Sequence, residues 1–393
     1  MSPERIAITG AGAICSIGMG TEEIAQALLE GRSGIGHPTL GLPYPNLHVG
    51  EVRLDNDELR ARLNLGAEPP RSRTALLALL AVNEAVRTAD NADMAVISAS
   101  TVGGMDLSEA HYDDWRNGRM DHARAALEHP VHAHTQAIAR AIGSRAFSTT
   151  ISTACSSSAN AIALGARLLQ QGRAKRVLAG GADALCRFTI EGFRSLSAMD
   201  MEPCKPFSPQ RKGMNLGEGA AYLVLERLSD VVREGREPLA ILGGWSNRND
   251  AHHATATSPE GRGPFLAMSD AIERAGLRPS DIAHINAHGT ATDNNDDTEL
   301  RAMERLFDPV PPFTSTKALT GHTLAAAGAL EAMIAIQCMR LGLIPSARRA
   351  DAVMPGHTAT PLSASLRTSV RNVLSNSFGF GGNCSSLLLM NAA

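Results

Sequence analysis

Three stretches of this 393-residue chain put nucleophilic or basic side chains where a strand-like run gives way to a turn or a helix. "TACSSSANAIALGARLLQ" sets Cys155 between a strand end and a helix start, and "NAHGTATDNND" sets His288 just after a strand. "TSTKALTGHTLAAAGALEA" sets Lys317 five residues before His322, which opens an apolar helix. A cysteine at a helix N-terminus sits at the positive end of the backbone dipole, which favours thiolate over thiol. The same dipole disfavours imidazolium at His322, and a neutral imidazole donates one hydrogen bond through a ring N–H. One cysteine nucleophile with two neutral histidine donors suits thioester chemistry: Cys155 takes an acyl group covalently, and His288 and His322 stabilise the enolate left when a second thioester decarboxylates. A thiol protease would instead want one Cys–His pair oriented by Asn or Asp, and nothing in these stretches selects that arrangement. The bland alternative is three unrelated core residues, since a lone cysteine more often only packs.

Such groups need a frame of strands and helices. Strand-like runs are "RIAITG" from Arg5, "MAVISAS" from Met94, "RVLAGGADAL" from Arg176, "AAYLVLERL" from Ala220, "LAILGGWS" from Leu239, "IAHINAHG" from Ile282 and a final pair within "SVRNVLSNSFGFGGNCSSLLLMN". Their alternation with helical segments indicates an α/β fold, and their scant polar alternation indicates strands covered on both faces. "SANAIALGARLLQ" carries only Arg167 as a charge and "AAAGALEAMIAIQCM" only Glu331. Helices so apolar are buried all round, which predicts central helices sandwiched between two sheets. The proposed halves are residues 1–230, with the cysteine, and 231–393, with both histidines and the Gly-rich turn; they meet near the polar segment Ser229–Leu239. Residues 36–50 read as an irregular surface loop and 105–145 as a polar, helix-prone insertion. The three histidines of "HPVHAH" suit no single helix face and lack a carboxylate or cysteine to complete a set, so no metal site is expected.

The formal net charge of −3 gives no general reason to bind nucleic acid. Six cysteines, at 15, 155, 186, 204, 338 and 384, form no CxxC pair, which fits a reduced intracellular protein better than a disulfide framework or a zinc site. "MSPERIAITGAGAICSIG" lacks the regions of a signal peptide, and no window reaches the roughly 18 uninterrupted apolar residues of a membrane helix. A cytoplasmic protein without a membrane span is the expectation. "GFGGN" lacks the phosphate-loop pattern and lies near the chain end, so it reads as a tight turn presenting amides beside the nucleophile.

Taken in order, "TACSSS", "GGADAL", "KPFSPQRKGMNLGEGAA", "NAHGTAT", "KALTGH" followed by "AAGALEA", and "NSFGFGGN" resemble the β-ketoacyl-acyl carrier protein synthases, the condensing enzymes of fatty acid and polyketide assembly. The resemblance covers nearly the whole chain. It implies a thiolase-like fold, two similar halves each with a five-stranded sheet, in five layers (α-β-α-β-α). It also implies a decarboxylative Claisen condensation between an acyl group on Cys155 and malonyl-carrier protein, with His288 and His322 as the decarboxylation pair. Lys317 matches the lysine of a family motif, in an electrostatic and structural role, and Glu331 matches its partner. Phe380 matches a residue that gates the acyl pocket, with Phe378 in support, and the amides of Phe380 and Cys155 would form the oxyanion hole. Glu299 and Asp296 fall where the family keeps acidic residues; for Glu299 a structural role, bonding backbone or Lys317, stands beside a catalytic one. No cofactor is required. The implied partners are an acyl carrier protein, acyl- or malonyl-loaded, and a second subunit that is either a copy or a related chain-length subunit. Acidic carriers want a basic surface at the pocket mouth, for which Arg71, Arg73, Arg211 and Lys212 are the candidates.

Three departures stand out. Asn383 replaces the threonine of a family "GTN", "SPQRKGMNLGEGA" replaces acidic and aromatic residues common after "KPF", and "HGTATDNND" lacks a frequent proline. They point away from housekeeping elongation, and "STVGGMDLSEAHY" from Ser100 is similar to synthases of aryl polyene or resorcinol-type lipid pathways. Several such pathways pair the synthase with a relative lacking the cysteine; a chain that keeps Cys155 matches the catalytic member. Two rival readings are a non-catalytic chain-length or scaffold subunit and a thioester hydrolase using the same acyl-cysteine.

Overall fold

The apolar runs become strands in the computed structural model, which describes residues 4–66, 69–86, 91–350 and 352–392. The first half supplies β1 (Ile6–Cys15), β2 (Met94–Ala99), β3 (Ser148–Ile151), β4 (Arg176–Asp183) and β5 (Gly219–Arg227). The second supplies β6 (Ala240–Asn249), β7 (His284–Asn286), β8 (Phe313–Thr314), β9 (Asn372–Gly379) and β10 (Asn383–Met390). They pair in the order β8-β7-β9-β10-β6-β1-β5-β4-β2-β3. One topology occurs twice. β2 runs parallel to β3 and β4, and β5 is antiparallel to β4 and β1. In the same way β7 runs parallel to β8 and β9, and β10 is antiparallel to β9 and β6. The two expected sheets are joined edge to edge, because Ile6–Ile8 pairs antiparallel with Ala240–Leu242. β2 is buried along its whole length and β4 from Val177 onward, as strands covered on both faces should be.

The principal helices are α1 (Arg73–Ala85), α2 (Met105–Arg116), α3 (Ala133–Ala141), α4 (Ser157–Gln170), α5 (Arg187–Ser195), α6 (Arg262–Arg274), α7 (Asp293–Leu306) and α8 (Ala327–Leu341). α1 covers β1 and β5, α6 covers β6 and β10, and α4 and α8 lie between the half-sheets, which completes the layers. α8 is buried at every position from Ala327 to Met339. With the 3-10 turn ahead of it, the stretch Leu324–Leu341 is long and apolar enough to cross a membrane, yet 89% of it lies inside the core. The two central helices are tied at their N-terminal ends. Ser158 Oγ accepts the Ala329 amide at 2.9 Å, and a Cβ on Gly328 would sit 2.8 Å from Ala159, so only glycine allows this approach.

Residues 36–50 are irregular but for the short pairing of Ile35–Gly36 with Val49–Gly50. The 105–145 region folds as α2, a 3-10 turn (Ala123–Glu128) and α3.

Candidate active site

The predicted groups converge from chain reversals. Cys155 lies in the turn between β3 and α4, His288 just beyond β7, and Phe380 in the turn between β9 and β10. His322 does not open the buried helix directly: a 3-10 turn, Leu324–Ala326, separates it from α8. Cys155 Sγ and one ring nitrogen from each histidine all lie within 4.8 Å of one another, all three residues buried. The two imidazoles meet edge to face with centroids 5.4 Å apart, and the Phe378 ring is 5.8 Å from His288. Together they line a cavity of about 280 Å³ with Phe193, Lys212, Met214 and Phe380. Phe193, on α5, stacks on Phe380 at 5.7 Å.

The local chain explains this convergence. Ser156 Oγ donates to the Thr153 carbonyl and the Thr153 amide donates to Ser157 Oγ, both at 2.8 Å, so the serines after the cysteine fold the turn. Ala154, Ala291 and Leu324, within three residues of Cys155, His288 and His322 respectively, hold φ of 52°, 63° and 51°. Left-handed backbone in non-glycine residues costs about 1–3 kcal/mol each and persists only where the surroundings over-determine it. Gly379 brings the β9–β10 turn against the nucleophile: a Cβ there would lie 3.0 Å from the Cys155 nitrogen and 2.9 Å from the Thr153 oxygen. The Gly381 amide donates to the Ala254 carbonyl at 2.7 Å, which ties this turn into the fold and leaves that amide unavailable to a phosphate.

His322 is held on both sides by the "NLGEG" stretch. Its amide donates to the Asn215 carbonyl at 2.8 Å and its carbonyl accepts from the Gly217 amide at 2.9 Å. The Leu324 amide donates to His322 Nδ1 at 3.2 Å, so Nδ1 is the acceptor and the ring proton sits on Nε2. Nε2 has no partner among the described residues, which leaves an N–H donor for whatever enters the cavity. Asp183, at the end of β4, accepts from the Ala325 amide at 2.8 Å and from the Ser100 and Thr101 hydroxyls at 2.6 Å. Asp183 has no task legible from "GGADAL" beyond the signal of an aspartate closing an apolar strand.

Glu299 accepts the His288 amide at 2.8 Å, the Gly289 amide at 2.9 Å and the Asn376 side chain at 3.1 Å. Of the two structural alternatives, it is therefore backbone that Glu299 bonds. Asp296 likewise takes the Phe207 and Ala291 amides, at 2.7 and 3.1 Å. Lys317 is ion-paired with Glu331 at 2.5 Å, both side chains almost wholly buried.

Burial also sets the charges. It pushes the Cys155 thiol up to about 12, against the pull of the Lys317 charge, so the thiolate expected from the dipole alone is not the favoured resting form. Burial and the Lys317 charge both hold His288 and His322 well below the ordinary histidine value, which keeps them neutral as expected. Burial raises Glu299 to about 7 and Asp296 to about 6.

A cysteine and two histidines so close also form a plausible ligand set for a metal ion. The Lys317 charge bears on all three groups, and a resident cation opposes a second one. Two of the three "HPVHAH" histidines have other partners: His134 bonds the Val131 carbonyl and Ser98, and His129 bonds Ser108. Of the four candidate docking cations, Arg73 is withdrawn: it is buried and paired with Glu218 at 2.6 Å. Arg71 pairs with Glu128 and Arg211 with Asp293, while Lys212 is exposed and lines the cavity. All six cysteines are free and buried.

Residues 3–231 match the family model for the β-ketoacyl synthase N-terminal domain, and residues 239–351 that for the C-terminal domain. Nodulation protein E of Rhizobium meliloti (strain 1021) is 33% identical over 396 residues, covering 96% of this chain and 97% of its own. The 3-oxoacyl-acyl-carrier-protein synthase 2 of Synechocystis is 30% identical over 405 residues, covering 98% and 97%. A solved ketosynthase in complex with its chain length factor, from Xenorhabdus doucetiae, aligns with a TM-score of 0.86 and 31% identity over 99% of this chain and 98% of its own.

Proposed function

The chain belongs to the β-ketoacyl synthase family, and on that premise we propose that its condensation chemistry runs through Cys155, His288 and His322. The enzyme is a carbon–carbon bond-forming acyltransferase that joins an acyl thioester to malonyl-carrier protein. First, Cys155 Sγ attacks the acyl thioester carbonyl; the new C–S bond forms as the donor's C–S bond breaks, and the thiol proton ends on the departing thiol. We assign the oxyanion of that tetrahedral intermediate to the Cys155 and Phe380 amides, whose turns meet where Gly379 lies against the Cys155 nitrogen. Malonyl thioester then loses carbon dioxide, and its C–C bond pair becomes an enolate whose oxygen receives hydrogen bonds from His322 Nε2–H and from His288. The enolate carbon attacks the acyl-cysteine carbonyl, the Cys155 thiolate leaves, and one proton from solvent restores the thiol. The product is a β-ketoacyl thioester two carbons longer. Burial keeps both imidazoles neutral, and the charge of Lys317, locked to Glu331, adds to it and so helps preserve them as donors.

The observation that carries this reading is the convergence of one thiol and two neutral imidazoles in one cavity, one of them with its N–H free. A chain-length subunit that only shapes a pocket has no use for that set. The carrier protein is the partner that delivers both thioesters, and Lys212 is the cation we place against it at the mouth. A second subunit, a copy or a chain-length relative, is supported by the solved ketosynthase that is bound to its chain length factor. The cytoplasm, where free thiols stay reduced, is the compartment this chemistry suits. The departures around Lys212 and Asn383 support a specialised pathway, of which aryl polyene assembly is our reading.

Intact-mass spectrometry of the protein with acyl- and malonyl-carrier protein tests the assignment. Acylation at Cys155 followed by a product two carbons longer is expected, and Cys155→Ala should abolish both. His288→Ala and His322→Ala should still acylate but slow extension by roughly 10²- to 10³-fold, the usual loss for an oxyanion donor. Extension at wild-type rate in either variant would remove that histidine from the mechanism.

A further inference from the structure

The mechanism leaves one polar cluster beneath the nucleophile without a task. Asn160, one turn into α4, donates through Nδ2 to Thr153 Oγ1 at 2.9 Å and to Ser156 Oγ at 3.4 Å. Its Oδ1 accepts from Ser385 Oγ and from Asn247 Nδ2, both at 2.9 Å. Asn247 also donates to Ser385 Oγ at 3.0 Å, and Thr153 Oγ1 and Ser156 Oγ are 3.1 Å apart. The amide orientation is set by these neighbours, since Ser156 spends its own proton on the Thr153 carbonyl and the hydroxyl of Ser385 needs an acceptor. Both donor hydrogens and two acceptor sites of Asn160 are therefore in use.

Thr153 and Ser156 flank the strained Ala154 and the reacting Cys155, while Ser385 stands on β10 and Asn247 on β6, in the other half of the molecule. That other half also supplies His288, His322 and the Phe380 amide. We propose that Asn160 is a positioning residue, which indexes the nucleophile turn against strands β6 and β10 so that Cys155 Sγ meets its histidine donors in register. An aliphatic side chain in its place leaves the turn held only by its own serines, free to relax from the left-handed Ala154. The thiol then drifts, and a displacement of about 1 Å costs on the order of 10²-fold in rate. Asn247, exposed at the far end, transmits a smaller share of the same constraint.

This inference rests on the ketosynthase reading, and the experiment separates the two. Single-turnover acylation of Cys155 by an acyl-carrier protein is followed in wild type, Asn160→Ala, Asn160→Asp and Asn247→Ala, with thermal midpoints measured alongside. Asn160→Asp keeps the acceptor toward Ser385 but loses the donor to Thr153. We expect both Asn160 variants to acylate about 10- to 100-fold more slowly at saturating thioester, with half-saturation changed less than twofold. Asn247→Ala, a surface change, should slow acylation a few-fold with an unaltered midpoint. Wild-type rates in Asn160→Asp and Asn247→Ala overturn the proposal, as does a fall in midpoint with the rate per folded molecule unchanged. Failure of wild type itself to acylate at Cys155 overturns the ketosynthase reading instead.

Discussion

Cys155 rests as an uncharged thiol between uncharged imidazoles, and its pH behaviour follows from that. Burial raises the thiol to about 12 and depresses both histidines, so no thiolate–imidazolium pair exists at neutral pH. Alkylation by iodoacetamide should therefore climb steadily from pH 6 to pH 9.5, with the Cys155→Ala protein as the blank. A plateau of reactivity extending below pH 7 would be the signature of a pre-formed ion pair and would contradict this site. The sequence pointed to the three side chains that the fold brings together, because Cys155, His288 and His322 each follow a strand or precede a helix in a polar turn. It did not disclose the thiol's charge, since the dipole acts locally whereas desolvation depends on everything packed around the turn.

At the level of elements, the long apolar runs were legible and the short ones were not. β1, β2, β4, β5, β6 and β7 all begin within two residues of their apolar runs and β9 and β10 both fall within the final one, whereas no run marks the four residues of β3 or the two of β8. The 3-10 turn after His322 was invisible for another reason: its register is imposed by Asp183, 142 residues earlier in the chain. The central helices α4 and α8 were recognised by composition, but their mutual tie at Gly328 and Ser158 was not, since it depends on a backbone approach that only the fold defines. That tie carries the elements of the site, because α4 follows Cys155 and α8 follows His322. Gly328→Val should wedge the helices apart and cost about 1–3 kcal/mol, the usual range for overpacking. Urea denaturation reads the stability and single-turnover acylation reads the site. A variant as stable and as fast as wild type would show the tie to be incidental.

For the whole molecule, the repeated topology leaves two sheet edges that are protected unequally. β8, at one end, has only two residues, both buried. β3, at the other, has one exposed and three half-buried residues and ends four residues before Cys155. An open edge is a template for another strand. Phe147, the residue that leads into it, is 56% exposed, and two further apolar side chains of the same half, Met120 and Leu127, are 60% and 75% exposed. An exposed aromatic ring leading into an unpaired strand edge gives a partner both backbone groups and apolar area to cover. A second subunit covering β3 would also brace the nucleophile turn, so assembly and acylation should fail together. Sedimentation of wild type alone should give a dimer, or a dimer only after a chain-length relative is added. Phe147→Glu with Leu127→Glu, both surface changes, should sediment as a monomer with native circular dichroism and lose most of its acylation rate. A wild type that is monomeric and fully active, or a double variant that still dimerises, would place the interface elsewhere.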